Sequence, residues 1–152
     1  MEQTTELPGY GLRSPSSQIK LQALWGIGYS KVAAYAADVL QLMKEERDPA
    51  IKGRCSWVLG RLRYREAYPH LVANLKLPSP QVRMWSAWAL GEIGVDRASK
   101  HLRDASDREP DEKVQRAMGG ALKKLAGIPT RIHQSKILRA LVPPGVEDAE
   151  IM

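Results

Sequence analysis

A unit of 31–32 residues recurs four times in this chain and limits the fold more than any other feature. Ile19, Ile51, Val82 and Val114 hold one frame position. Six residues after each come Trp25, Trp57, Trp88 and Gly120. Eight after come Ile27, Leu59, Leu90 and Leu122, and nine after come Gly28, Gly60, Gly91 and Lys123. Three before come Ser16, Asp48, Ser79 and Asp111, all residues whose side chains cap a helix N-terminus. The residue after the frame position is Lys20, Lys52, Arg83 or Gln115. Several columns in register across four copies imply supersecondary units stacked into a solenoid.

The third copy shows the local logic best. Ser79 can cap, and Pro80 suits a first helical turn where no N–H is needed. Val82, Ser86, Ala89, Leu90 and Ile93 then recur on one helical face, and Gly91 and Gly94 loosen its end. This reading predicts a first and a second helix in each unit, near 17–28 and 31–45, 49–62 and 65–76, 80–93 and 96–106, and 111–126 and 130–142. The proline-containing breaks at Asp48-Pro49, Pro78-Ser79-Pro80, Glu109-Pro110 and Gly127-Ile128-Pro129 separate them. Val39, Leu71 and Leu102 are the corresponding core positions of the second helices, joined by Tyr35, Ala67 and Ala98. The expected organisation is a flexible leader over 1–15, a repeat domain over 16–142 (units near 16–46, 48–77, 79–107 and 110–142) and an acidic flexible tail over 143–152. The fold class is all-α, a short right-handed solenoid of about four hairpins, with helix 130–142 docking as its cap.

The residues quoted for the third unit resemble the HEAT repeat. Ser79-Pro80-Gln81-Val82-Arg83 and Ala89-Leu90-Gly91-Glu92-Ile93-Gly94 carry the likeness, and the short period resembles the HEAT-like repeats of phycocyanobilin lyases. The likeness covers about residues 16–142. It implies architecture rather than activity, because such repeats serve scaffolds, adaptors, lyase subunits and a few enzymes.

Charge and chemistry narrow the function. Net charge is +6, and setting aside the five acids Glu2, Glu6, Glu147, Asp148 and Glu150 leaves the body at +11. A basic body attracts nucleic acid, anionic lipid or an acidic protein face, and it also keeps a protein dispersed. No apolar run approaches the roughly 20 residues of a membrane span. The single cysteine, Cys55, excludes an internal disulfide framework and sits in a small-residue column with Ala23, Ser86 and Met118, so we expect a packed thiol and a cytoplasmic protein.

Two groups of residues are candidates for partner contact. Trp25, Trp57 and Trp88, with Trp85 beside them, lie on a flank of the first helices about 120° from the apolar stripe. There they either pack on the adjacent repeat or form an aromatic strip for a partner. Arg61, Arg63, Tyr64 and Arg65 make the densest basic run, at the turn of the second unit, with Arg54 upstream. They either clamp an anionic partner or form a solvated turn. His70, His101 and His133 are spread over three units and suggest no metal site. The HEAT-repeat deoxyhypusine hydroxylases carry iron on paired His-Glu steps, and this chain has no His-Glu dipeptide. No counterpart of the acidic catalytic residue of HEAT-like DNA glycosylases can be placed. No catalytic constellation and no cofactor motif is found. The reading is a non-catalytic adaptor or scaffold that binds another protein. The alternatives are a nucleic-acid binder using the basic surface and an accessory subunit of a lyase-type enzyme.

Overall fold

The computed structural model describes residues 8–127. Each repeat begins where the sequence supplies a cap. Ser16 Oγ accepts from the Ile19 N–H at 3.3 Å, Asp48 Oδ1 from Ala50 at 2.9 Å, Ser79 Oγ from Val82 at 3.3 Å, and Asp111 Oδ1 from Lys113 and Val114 at 2.8 and 3.2 Å. These caps satisfy N–H groups that the first helical turn leaves unpaired. The helices they start are α2 (Ser17–Ser30), α4 (Pro49–Arg61), α6 (Pro80–Ile93) and α8 (Glu112–Leu125). The second helices are α3 (Ala36–Glu45), α5 (Tyr68–Asn74) and α7 (Ala98–Arg108). One-turn 3₁₀ segments, Ala33–Tyr35 and Arg65–Ala67, precede α3 and α5. The described residues contain no strand.

The result is an all-α solenoid in two layers. α2, α4, α6 and α8 stack on one another, and each second helix packs chiefly on the first helix of the following repeat. Leu24, Ile27, Leu59 and Leu90 are wholly buried between the layers, as are Val39, Leu71 and Leu102. The frame residues Ile51, Val82 and Val114 are buried, whereas Ile19, in the first described repeat, is 47% exposed. Leu122, at the other end of its column, is only partly buried.

Repeat-to-repeat contact follows one rule. The tryptophan six past one frame residue meets the glycine nine past the preceding one. Trp57 lies on Gly28 so closely that an added methyl would run into the ring. Trp88 lies on Gly60, where a Cβ would sit 2.8 Å from Trp88 Cζ3 and 2.8 Å from the Ala89 Cα. Trp85 covers Gly53 in the same manner, 3.3 Å from a built Cβ. The fourth repeat has Gly120 in place of tryptophan, and there a Cβ built on Gly91 would sit 2.9 Å from the Ala121 Cα.

Inside the stack is a small polar network. The Ser56 and Ser86 hydroxyls lie 3.2 Å apart, and Asn74 donates to Ser56 Oγ at 3.5 Å. Ser56 also donates to the Lys52 carbonyl at 3.1 Å, which pairs a group that burial would otherwise penalise. Cys55 is buried among these residues, as expected of a packed thiol, and burial pushes its pKa far above the ordinary thiol value, so it is a poor nucleophile.

Of the expected leader, residues 1–7 lie outside the described residues. Pro8–Gly11 form a short helix, α1, that packs on α2, and Leu12 is buried in the core. This segment covers the side of α2 that a preceding second helix would otherwise occupy. The expected helix 130–142, its cap role and the acidic tail 143–152 lie outside the described residues.

Leu90→Ala should cost about 2–5 kcal/mol, because it empties a fully buried site in an interior repeat. Gly60→Ala should cost roughly 1–3 kcal/mol by overpacking against the Ala89 backbone. Denaturant melts check both. A loss below about 0.5 kcal/mol for either, the scale of a surface substitution, would contradict the register described above.

Candidate functional site

The candidate residues do not form one exposed strip. Trp57, Trp85 and Trp88 are buried between repeats. Trp85 and Trp88 meet edge to face, with centroids 5.8 Å apart, and the buried Trp88 Nε1 has no acceptor. Trp25 is different. It remains partly exposed. It stacks on Trp57 at 5.5 Å and 20°, and on its other side touches Tyr29 at 4.9 Å. Tyr29, which sequence reasoning missed, is 48% exposed.

Arg61 completes this row. Its Nε donates to the Gly28 carbonyl at 3.2 Å, and its guanidinium lies 6.0 Å from the Trp57 centroid. Tyr29, Trp25, Trp57 and Arg61 are therefore contiguous along one edge of repeats 1 and 2. Arg63 and Arg65 stand exposed in the adjoining turn, and Tyr64 is half-buried against the core.

The turns that hold these residues are alike. In repeat 1 the Val32 N–H bonds Ile27 O at 3.0 Å, and in repeat 2 the Tyr64 N–H bonds Leu59 O at 3.1 Å. Lys31 and Arg63 occupy the left-handed position, with φ of 54° and 51°. The third repeat places Gly94 there, with φ 78°. A side chain in this conformation costs on the order of 1 kcal/mol. Both non-glycine residues are basic and exposed, so positive charge stands at these turns despite that cost.

The repeating basic column has a structural role instead. Lys20 pairs with Glu46 at 3.1 Å, and Lys52 Nζ donates to the Met43 carbonyl at 2.5 Å. Arg83 forms two parallel bonds to Glu109, at 2.8 and 2.9 Å, and also donates to the Leu77 and Pro78 carbonyls. The hydrogen bond to Glu109 raises the Arg83 pKa, against a burial effect that lowers it. Gln115 donates to the Glu109 carbonyl at 2.5 Å. Glu46 and Glu109 also accept from the N–H of the following cap residues, Asp48 at 3.2 Å and Asp111 at 3.0 Å. These glutamates lie two residues before a capping aspartate, a local signal that the sequence carries. Arg83 and Glu109 line a cleft of about 560 Å³ beside α5 and α7, and their charges are already paired.

Arg54 stands apart from this pattern. It is half-buried on α4, one turn before Trp57, and among the described residues has no hydrogen bond or ion pair. Burial lowers its pKa from the ordinary arginine value. Among the described residues no cluster of His, Cys, Asp or Glu could hold a metal, and no helix is long and apolar enough to cross a membrane. His70 and His101 sit on α5 and α7, the latter 6.4 Å edge-on from Tyr68, and His133 lies outside the described residues.

A stack of capped hairpins locked by Trp–Gly contacts is an α-solenoid, a class that offers extended surfaces for binding. The profile described as HEAT repeats matches residues 36–123, and the chain belongs to that family. Over 69 residues it is 38% identical to the epoxyqueuosine reductase of Bacillus cereus, and equally to that of Bacillus anthracis. The match takes in 45% of this chain but only 18% of each enzyme. A crystal structure of selenomethionine-labelled epoxyqueuosine reductase superposes with a TM-score of 0.47 and 28% identity, over 49% of this chain and 20% of the other.

The Glu46 staple makes a pH prediction. Burial alone would raise its pKa, but the Asp48 N–H and the Lys20 ammonium outweigh that, and the net value lies below the ordinary 4.5. A carboxylate depressed in the folded state contributes stability above its unfolded pKa and loses it as pH falls through the folded value. Glu46→Gln should therefore lower stability at neutral pH and flatten its decline below about pH 4.5. Urea melts across that range test this, and parallel curves for both proteins would contradict it.

Proposed function

We propose that this HEAT-repeat chain is a non-catalytic adaptor or scaffold that binds another protein along the edge of repeats 1 and 2. The observation that carries the reading is the contiguous row Tyr29–Trp25–Trp57–Arg61, with Tyr29 exposed and Trp25 partly so. Tyrosine, tryptophan and arginine are the residues in which binding energy concentrates at protein interfaces. Trp57 is held rigid by Gly28, so this row loses little conformational freedom on binding. Arg63, Tyr64 and Arg65 extend the surface, while Trp85 and Trp88 support it from within the stack.

The epoxyqueuosine reductases that carry a similar segment are much longer than the segment they share with this chain. That supports a supporting role beside a catalytic unit, in the same chain or in another. The buried, unreactive Cys55 supports a reducing compartment such as the cytoplasm. A second reading, nucleic-acid binding, draws on Lys31, Arg63 and Arg65 standing exposed in neighbouring turns.

Pull-down from source cells with and without nuclease separates the two. A protein partner should survive nuclease and moderate salt, and Trp25→Ala or Tyr29→Ala should weaken its capture ten-fold or more, on the order of 1.4 kcal/mol. Micromolar or tighter binding to nucleic acid near physiological salt, with a log–log salt slope near −0.9 per phosphate contact, would overturn the protein reading. Arg63→Gly should raise stability by about 1 kcal/mol by relieving the left-handed turn, and should weaken partner binding. A melt and a binding titration on the same sample check both effects.

A further inference from the structure

Among the described second helices α5 is the shortest. It ends at Asn74 after seven residues, whereas α3 runs for ten and α7 for eleven. Beyond Asn74 the chain tightens into turns, with the Leu75, Lys76 and Leu77 N–H groups bonded to carbonyls three residues back at 3.1, 3.2 and 3.2 Å. The cleft of about 560 Å³ is lined by this shortened end and by α7.

The wall of the cleft departs from the repeat pattern. Lys20 meets Glu46, 26 residues on, and Arg83 meets Glu109 at the same step. That step from Lys52 reaches Pro78, preceded by Leu77, and Lys52 turns to the Met43 carbonyl instead. Leu77 and Pro78 thus give the cleft an apolar side where repeats 1 and 3 carry a carboxylate, and Val72 and Ala105 also line it.

Charge is unevenly spent there. His101, Asp104, Ala105 and Arg108 line the cleft from one face of α7. Arg83 and Glu109 neutralise each other. Lys76 and Arg108, at the ends of α5 and α7, are exposed and among the described residues have no ion pair or side-chain hydrogen bond. Asp104 is unpaired in the same sense.

These features select the occupant. An apolar wall beside two free cations matches a peptide that carries apolar side chains and carboxylates. A phosphate backbone would meet Asp104 and Glu109, and among the described residues the lining has no tryptophan or tyrosine on which a base would stack. Small-molecule sites enclose most of their ligand. Here Lys76, Pro78, His101, Asp104, Arg108 and Pro110 all stand exposed, so the cleft is open enough for a chain to cross it.

We propose that this cleft seats an extended segment of a protein partner, with an apolar side chain against Val72, Leu77 and Ala105 and a carboxylate at Lys76 and Arg108. The proposal rests on reading the chain as a protein binder, and it adds a contact that shares no residue with the edge of repeats 1 and 2. The test titrates the full chain near physiological salt with three labelled probes: a hexapeptide of alternating leucine and glutamate, its leucine–glutamine counterpart, and an oligothymidylate strand. The glutamate peptide should bind roughly ten-fold or more tighter than the other two. Lys76→Gln combined with Arg108→Gln should weaken it roughly ten-fold or more. Lys100→Gln combined with Arg103→Gln, an equal loss of charge on α7 outside the cleft, should change it less than about two-fold. Ala105→Leu, which fills the apolar seat and alters no charge, should also weaken it. Among the described residues Lys76 and Arg108 have no side-chain bond to break, so their double variant should melt as the parent does, and it decides the matter if Ala105→Leu unfolds.

Several results overturn the proposal. No saturable binding of the glutamate peptide up to about 1 mM, or equal binding of its glutamine counterpart, removes the carboxylate seat. Equal weakening by the two double variants reduces the effect to net charge. If Tyr29→Ala abolishes peptide binding and the loss of Lys76 and Arg108 leaves it intact, the cleft is wrong while the edge of repeats 1 and 2 stands. If the oligothymidylate binds more tightly than the peptide and loses affinity without Lys76 and Arg108, the cleft holds phosphate and the protein reading fails with it.

Discussion

The stack depends on a ring meeting a residue with no side chain. Trp57 reaches Gly28 and Trp88 reaches Gly60 at distances that no Cβ would tolerate. A buried indole removes on the order of 200 Å² from water, roughly 5 kcal/mol by area. That contact lies between repeats rather than within one, so it makes each hairpin's stability a property of its neighbour. It also spaces the repeats. Where the ring is missing, at Gly120, the Gly91 backbone closes directly on Ala121, and the large residue is no longer needed as a spacer.

The first helices were legible in the sequence because capping is local. Ser16, Asp48, Ser79 and Asp111 start them in the structure, and the second and third helices end within one residue of the expected 62 and 93. The second helices were less legible. α3 and α5 begin later than their apolar pattern suggests, since 3₁₀ turns at Ala33–Tyr35 and Arg65–Ala67 absorb their first residues. The short helix Pro8–Gly11 and the buried Leu12 were not legible, because one apolar residue has no periodicity. The exposure of Ile19 sets it apart from the buried Ile51, Val82 and Val114 of its column, a matter of packing that the pattern does not carry.

The candidate site was only half legible. Helical angles place the tryptophans on a flank, but not whether a neighbour covers that flank. The structure separates Trp57, Trp85 and Trp88, which neighbours bury, from Trp25, which remains partly exposed. Tyr29 drew no attention because its column holds Arg61, Glu92 and Lys124, three charged residues, and one aromatic among them breaks the pattern. The basic column after the frame residue looked like surface charge and instead ties turns together. Its acceptors, Glu46 and Glu109, lie 26 residues further on, beyond the reach of any local motif.

Sequence reading set Arg54 beside the basic run of the second unit, but could not foresee that it is half-buried without a hydrogen-bond acceptor among the described residues. The chain tolerates a half-buried cation there while pairing Lys20, Arg83 and Lys124 with glutamates drawn from distant turns. It also holds Lys31 and Arg63 in backbone conformations that glycine would adopt without strain. Neither feature improves the isolated fold: one leaves a charge uncompensated, and the other strains a turn. Both fall in repeats 1 and 2, where the exposed rings also lie, and the third repeat has Trp85 and Gly94 in the same columns. Under the protein-binding proposal, such local departures from the stable solution, confined to two repeats of an otherwise regular stack, mark where fold stability gives way to partner contact.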